Sequence, residues 1–474
     1  MSIIIPANSA VSGGYEVANS LMFNAAKLTR QSGSTGNRRT WTWSGWVKRA
    51  AVPGTPDAKG GFFSTYTDSN NRLDFGIDAN HRFFFKEKEG SGATVIDFTS
   101  IAVFQDPAAF LHFVIAVDTT EGTAADRVKV YLNGVRITSW LDSTAPTQNR
   151  DTLMNVSGRT YIVGSTDGSS NYWNGNMAEV VLIDGLQLAP TSFGEFDEDS
   201  SIWKPIKVSG LTFGTNGYYL DFEDSSALGN DAAGSNNYSL TSIAATDQGL
   251  DTCTNNFPVI NALNFGSAGL TFADANTSII ANSGDGWRTT YGTIAVSTGK
   301  WYWEQKILDA SGSSHYIGIT DIDVAANTAT NEFENGGVSA YAYRSDDGKK
   351  VTSVSGSTAL TSYGTGFTTN NIVGIAIDLD NQKIYFSLNG TWQNSGNPES
   401  GATGTGAAFT ITSGKLYTPA TATYNTSNEY IYNFGSPYFA ISSGNADGNG
   451  YGNFEYTVPS GYFSLNTKNL AEYG

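Results

Sequence analysis

Residues 112–135, HFVIAVDTTEGTAADRVKVYLNGV, and residues 371–392, NIVGIAIDLDNQKIYFSLNGTW, are one phrase written twice. In each copy alternating apolar residues (Phe113, Ile115, Val117; then Val373, Ile375, Ile377) run into an aspartate, Asp118 or Asp378, where the chain must leave a sheet. A second alternating stretch follows (Val128, Val130, Leu132; then Ile384, Phe386, Leu388) and ends in Asn133-Gly134 or Asn389-Gly390. Period-two spacing buries one face of an antiparallel sheet, and Asn-Gly supplies the positive φ angles of a tight hairpin. The repetition predicts an all-β chain of two antiparallel β-sandwiches in tandem, a scaffold that favours surface recognition over deep-pocket chemistry.

Working outward, strand candidates at 41–47, 61–66, 72–77, 82–86, 94–98, 159–164, 177–183 and 218–222 fill a first sandwich over residues 21–222. Many short strands separated by turn signals indicate such a sandwich. One or two helical turns are expected near Pro190-Thr191-Ser192-Phe193, capped by Thr191 or Ser192. Residues 223–263 are rich in Gly, Ser, Asn and Asp and read as a polar linker, or a loop wrapped on the first domain. Strands resume over 264–474, the second sandwich. Residues 1–20 lack a periodic pattern and read as an extended N-terminal arm that is either mobile or docked on a neighbour.

The 474 residues carry 27 Lys and Arg against 44 Asp and Glu, a formal charge of −17. That sign repels phosphate backbones and anionic bilayers, so neither nucleic acid nor membrane insertion is expected. No stretch approaches about twenty apolar residues, and the start, MSIIIPANSAVSGG, lacks a basic n-region. The expectation is a chain made in a cytoplasm that reaches any external site without a cleaved signal. Cys253 is the single cysteine, and no Cys/His cluster has zinc spacing. His81, His112 and His315 are scattered in strand contexts, where packing is the expected role.

Two resemblances emerge from particular phrases. Residues 161–185, YIVGSTDGSSNYWNGNMAEVVLIDG, with the preceding hairpin, resemble the laminin G-like or concanavalin A-like jelly-roll family, whose Asn-Gly … Glu-Val phrase is matched at Asn174-Gly175 and Glu179-Val180. GKWYWEQKI (299–307), HYIGIT (315–320), YAYRSDDGKK (341–350) and the second copy of the doubled phrase resemble the SPRY family in its order. The full arrangement, closing at YTVPSGYFSLNTKNL, is similar to phage proteins that join these two domains.

The resemblance implies a virion component, a tail-fibre or host-recognition protein assembled as a homo-oligomer, with residues 1–20 attached to other virion proteins and binding loops turned to a host-surface glycan or protein. A capsid decoration without a host ligand is the alternative within that class. A glycan depolymerase is the alternative from another class. Glycosidases of this fold place carboxylates on alternate strand positions as E-x-D-x-x-E. The nearest candidate here is Glu195-Phe196-Asp197, but Ser200 stands where the second Glu is needed. No catalytic residue is expected.

Loop aromatics with polar neighbours are the candidate ligand-binding residues: Tyr172, Trp173, Trp287, Tyr341, Arg344, Asp346 and Trp392. Rings of this kind stack on sugar faces and anchor protein contacts. Trp41, Trp43, Trp301 and Trp303 alternate within strands and are expected to pack inside the sheets. Calcium is the one candidate cofactor, because laminin G-like sandwiches hold it at a loop rim; Asp118, Asp167 and Asn171 are its candidate ligands. Asp and Asn in turns also satisfy their own backbone, which is the competing reading.

Overall fold

The computed structural model describes residues 14–50, 60–265, 269–282, 286–311, 313–322, 331–335, 339–354, 357–424 and 427–474. They form two compact units, one from residues 14–49 and 60–254 and one from residues 255–474. Each is a pair of antiparallel sheets, as the doubled phrase requires.

In the first unit, one eight-stranded sheet centres on Thr40–Arg49, flanked by Leu111–Asp118 and Gly175–Asp184. The other sheet runs from the edge strand Trp140–Thr144 through Ala93–Val103, Arg82–Glu89, Asn71–Ile77 and Gly60–Asp68 to Thr160–Val163, Lys27–Gln31 and Ser239–Thr241. Trp41, Trp43, Phe113, Ile115 and Val117 point inward against Phe62, Phe75, Phe83 and Phe85, all fully buried. Alternation alone would leave the opposite face of the first sheet wet. It is instead roofed: Val114, Val181 and Ile183 lie under Phe193 with Leu188, Val208, Leu211 and Phe213, and Trp46 lies under Val17, Phe110 and Trp203.

The second unit repeats this plan. A nine-stranded sheet centres on Lys300–Ala310, flanked by Ile372–Asp378 and Asn428–Asn433. A seven-stranded sheet places Tyr417–Tyr424 beside Ser313–Asp321 and continues through Ala340–Arg344 and Lys349–Val354 to Ser357–Ser362. Tyr343 of one sheet meets Phe386 of the other, ring centroids 5.6 Å apart, inside the core. The outer face of the nine-stranded sheet is roofed by the C-terminal segment, where Phe454, Val458 and Tyr462 cover Tyr302, Ala376 and Tyr385.

The correspondence between the units extends to individual pairs. Trp41 and Trp43 stand opposite Val117 and Ile115, while Trp301 and Trp303 stand opposite Ile377 and Ile375. All four indoles are buried, as expected of in-strand packing. Asn133 and Asn389 have φ of 47° and 48°, and Gly134 and Gly390 have 79° and 77°, the positive pair that a tight hairpin needs. Each asparagine carboxamide accepts the N–H of the facing residue, His112 at 2.8 Å and Ile372 at 2.9 Å.

Several expectations need correction. The stretch 223–263 is not a free linker: Ser239–Thr241 pairs with Lys27–Gln31, Gln248–Gly249 pairs with Ser20–Phe23, and Ile260–Phe265 already belongs to the second unit. Its carboxylates and amides hold it by side-chain hydrogen bonds, as when Asp231 accepts the N–H groups of Tyr219, Ala233 and Asn236. Of the proposed arm, residues 1–13 lie outside the described residues, while Val17 and Ser20 are buried in the first unit. The turn at Pro190–Ser192 is a single 3-10 turn whose N-cap is Ala189, without a side-chain cap.

Candidate functional site

The sequence places the ligand-binding aromatics on loops, and the fold divides them into three groups. Trp173 is core: its backbone N–H donates to Gly164 O at 2.8 Å, and its ring meets Phe62 edge-on, centroids 4.8 Å apart. Glycine at position 60 leaves room for that indole, since a Cβ there would press on it. Tyr341 is also core, its hydroxyl engaged with the Thr412 N–H at 2.9 Å and Thr412 Oγ1 at 3.0 Å. Tyr172 is half-buried and reaches only Gly168 O of its own loop, at 3.4 Å. Trp173 and Tyr341 are corrected from binding to packing.

Trp287 and Arg344 do come together, through Tyr316. The half-exposed Trp287 ring meets Tyr316 edge-on, centroids 5.0 Å apart, and Tyr424 at 5.1 Å. Arg344 Nη1 donates to the Tyr316 hydroxyl at 3.4 Å and grips Asp347 through Nε and Nη2, at 3.0 and 2.6 Å. That guanidinium holds the Asp347 carboxyl well below the usual carboxylate range. Asp346 beside it is exposed and accepts from Ser314 and Ser345. The result is a shallow aromatic and ionic surface whose buried base, Tyr316, the sequence did not single out.

Trp392 belongs elsewhere. It lies half-buried on the two-residue strand that follows Asn389-Gly390, 6.5 Å between centroids from both Tyr302 and Tyr385. Beside it opens a cleft of about 420 Å³, lined by the half-buried Trp392 and Tyr456, the buried Tyr302, Ser387, Pro398 and Pro459, and the exposed Asn397 and Glu399. Glu399 Oε1 accepts the Ser460 N–H at 2.9 Å, tying the rim to the C-terminal segment. Beneath the floor, Tyr302 donates to Glu304 at 3.0 Å. Burial pushes the Glu304 carboxyl above its usual range, even though it also accepts the Glu455 and Tyr456 N–H groups.

The candidate calcium ligands do not form one site. Asp118 stands opposite Thr40, at the start of the central strand, whereas the 164–174 loop leads into Gly175, opposite Arg49 at its other end. At about 3.3 Å per residue that strand separates them by roughly 30 Å. Asp118 caps its own turn, accepting the Thr120 N–H at 2.9 Å and hydroxyl at 2.7 Å. Asp167 accepts the N–H groups of Ser169 and Ser170 at 2.9 and 2.7 Å and Asn171 Nδ2 at 2.8 Å. Partial burial would raise its carboxyl, but those donors outweigh it and hold the group low. Among the described residues no three His, Cys, Asp or Glu side chains gather as a metal-binding cluster.

The acidic run weighed for glycosidase chemistry is a hairpin, Gly194–Phe196 paired with Trp203–Pro205. Asp197 is held low by the Ser200 N–H and by Lys204, which also pairs with Glu195 at 3.4 Å. Of the histidines, His112 and His315 are buried and neutral, burial pushing both down to about 3. His112 accepts the Trp203 indole N–H at Nδ1, 2.9 Å, so its Nε2 carries the proton toward Ser44 Oγ at 2.8 Å.

Residues 23–186 match the model of the concanavalin A-like lectin/glucanases superfamily, and residues 300–436 match the model of the SPRY domain. The chain is a concanavalin A-like domain followed by a SPRY domain. Among solved structures it is similar to the SPRY domain of human HERC1, at 14% identity over 36% of this chain and 96% of that one, with a TM-score of 0.26. It is also similar to the heptameric SAP-like pentraxin of Limulus polyphemus, at 13% identity over 37% of this chain and 80% of that one, with a TM-score of 0.26. No curated protein sequence matches the chain. Both matched spans stop short of the roofs: residues 187–254 and 437–474 lie beyond them. No helix among the described residues is long and apolar enough to cross a membrane.

Proposed function

We propose that this chain is a noncatalytic recognition component of a phage virion, present in several copies, that grips a host-surface glycan. Two domains of classes that serve as binding modules support the recognition role, and the sequence resemblance to phage proteins of this arrangement supports the virion. The observation that carries the reading is the surface formed by the partly buried Trp287 and Arg344 with the exposed Asp346, over the buried Tyr316, an aromatic ring edged by charged hydrogen-bonding groups. A ring of this kind stacks on the apolar face of a sugar while neighbouring polar groups orient its hydroxyls. Many copies on one particle turn weak single sites into avidity. Attachment to other virion proteins is assigned to the N-terminal residues 1–20.

Two experiments test this reading. Labelled full-length chain, clustered on beads, should coat host cells, and a Trp287→Ala, Arg344→Ala double variant should coat them at least tenfold less. Undiminished coating by the folded double variant removes this surface from the account. Gold-labelled antibody on virions should mark fibre tips; an even lattice over the capsid would support decoration instead.

A further inference from the structure

The cleft beside Trp392 contains a group that the fold itself does not use. Ser387 is 1% exposed and lines the cleft, yet its Oγ has no hydrogen-bond partner among the described residues. A buried hydroxyl left unpartnered is costly unless something supplies the missing bond. Its surroundings are kept open: Ser387 stands opposite Gly374, where a Cβ would intrude on both Ser387 Oγ and the Tyr302 hydroxyl. Above this floor, Trp392 and Tyr456 present half-buried rings, and the Asn397 and Glu399 side chains lie at the exposed rim.

We infer that this cleft is a subsite for one neutral pyranose ring, stacked on Trp392 and hydrogen-bonded at its inner edge by Ser387 and at its outer edge by Asn397 and Glu399. The volume falls at the small end of the range of small-ligand sites, which suits a single sugar ring. An anionic ligand is disfavoured by the exposed Glu399 carboxylate and by the chain's formal charge of −17. Glu399 is also the single carboxylate lining the cleft, whereas glycoside hydrolysis by either common route uses two. The cleft therefore holds a sugar without cleaving it. This inference rests on the recognition role proposed above and names the ligand of a site separate from the Trp287 surface.

Saturation-transfer NMR of the full chain with glucose, galactose, mannose, N-acetylglucosamine and, as the charged control, glucuronic acid reads the proposal directly. At least one neutral sugar should receive saturation at its ring C–H protons, and glucuronic acid should receive none. In a Trp287→Ala, Arg344→Ala background, which removes the other surface, Trp392→Ala should abolish the remaining signal and Ser387→Ala should weaken binding about tenfold. Circular dichroism confirms the fold of each variant, and Ser387→Ala, the milder change, carries the test if Trp392→Ala fails to fold. The inference is overturned if no neutral sugar receives saturation, or if the signal survives both Trp392→Ala and Ser387→Ala. A signal lost in Trp287→Ala but kept in Trp392→Ala also overturns the cleft, while leaving the wider recognition role standing.

Discussion

The two domains share a hairpin down to its last hydrogen bond and differ in what lies on top of it. In both, an aromatic ring from a non-periodic roof rests on the hairpin glycine: a Cβ at Gly134 would run into Trp203, and one at Gly390 into Tyr456. In the concanavalin A-like domain that roof is closed, because the Trp203 indole N–H is bonded to buried His112. In the SPRY domain the roof is parted, and a cleft opens between Tyr456 and Trp392. The strands make the scaffold in both halves; the covering segment decides whether a site opens on it.

The largest expected effect tests the equivalence of the scaffolds. Trp43→Ala and Trp303→Ala remove buried indoles from matching register positions, and each should cost its own domain about 3–5 kcal/mol in chemical denaturation. A cost at one position far below the other would break the correspondence between the two cores.

A smaller effect sharpens the roof comparison. Gly134→Ala and Gly390→Ala should each cost more than Gly158→Ala, which shares the positive φ but has nothing within 4 Å of the added Cβ. The φ penalty alone is about 1–2 kcal/mol. Adding Tyr456→Ala should recover part of the Gly390→Ala loss, a non-additivity of at least about 0.5 kcal/mol. Strict additivity would mean that the ring does not rest on the hairpin.

The smallest effect is a pH dependence in the first domain. In the concanavalin A-like domain, burial pushes the Glu179 carboxyl up to about 7, despite the Tyr219 hydroxyl donating at 2.8 Å. The carboxylate sits on a bulge in Gly175–Asp184 with a φ of 52°. A carboxyl raised from about 4.5 holds its proton in the folded state after the unfolded chain has released it. Its contribution is therefore present at low pH and lost as pH climbs through about 7. Glu179→Gln should stabilise this domain at pH 8 relative to wild type and gain much less at pH 4, read from urea midpoints. An equal gain at both pH values would assign the effect to packing.

Fold class was legible because period-two alternation and Asn-Gly act over a few residues, and both copies of the phrase obey them. The roofs were not legible. Residues 187–213 and 437–466 bury apolar side chains such as Phe193, Trp203, Phe454 and Tyr462 without a period-two pattern, and the second roof is pinned by side-chain bonds, such as Asp447 to Ser464 at 2.6 Å and to Asn469 at 2.8 Å. The loop aromatics sorted imperfectly. Tyr341 shares the inward face of its strand with Tyr343, two residues on, so alternation already places it inside, where its hydroxyl meets Thr412. Trp173 looks like a loop residue until Gly60 is placed beneath its ring. Trp392 was found, yet Tyr456 and Ser387 were not, since their meeting depends on a segment about sixty residues downstream in sequence folding back over the sheet.

The most direct test of a scaffold that holds a glycan without transforming it is to incubate the full chain with host-surface polysaccharide and assay the same sample for retained carbohydrate and for new reducing ends. The account predicts retention that saturates with protein, and a reducing-end signal no higher than that of buffer. Reducing ends that accumulate with time and enzyme-like turnover would contradict it.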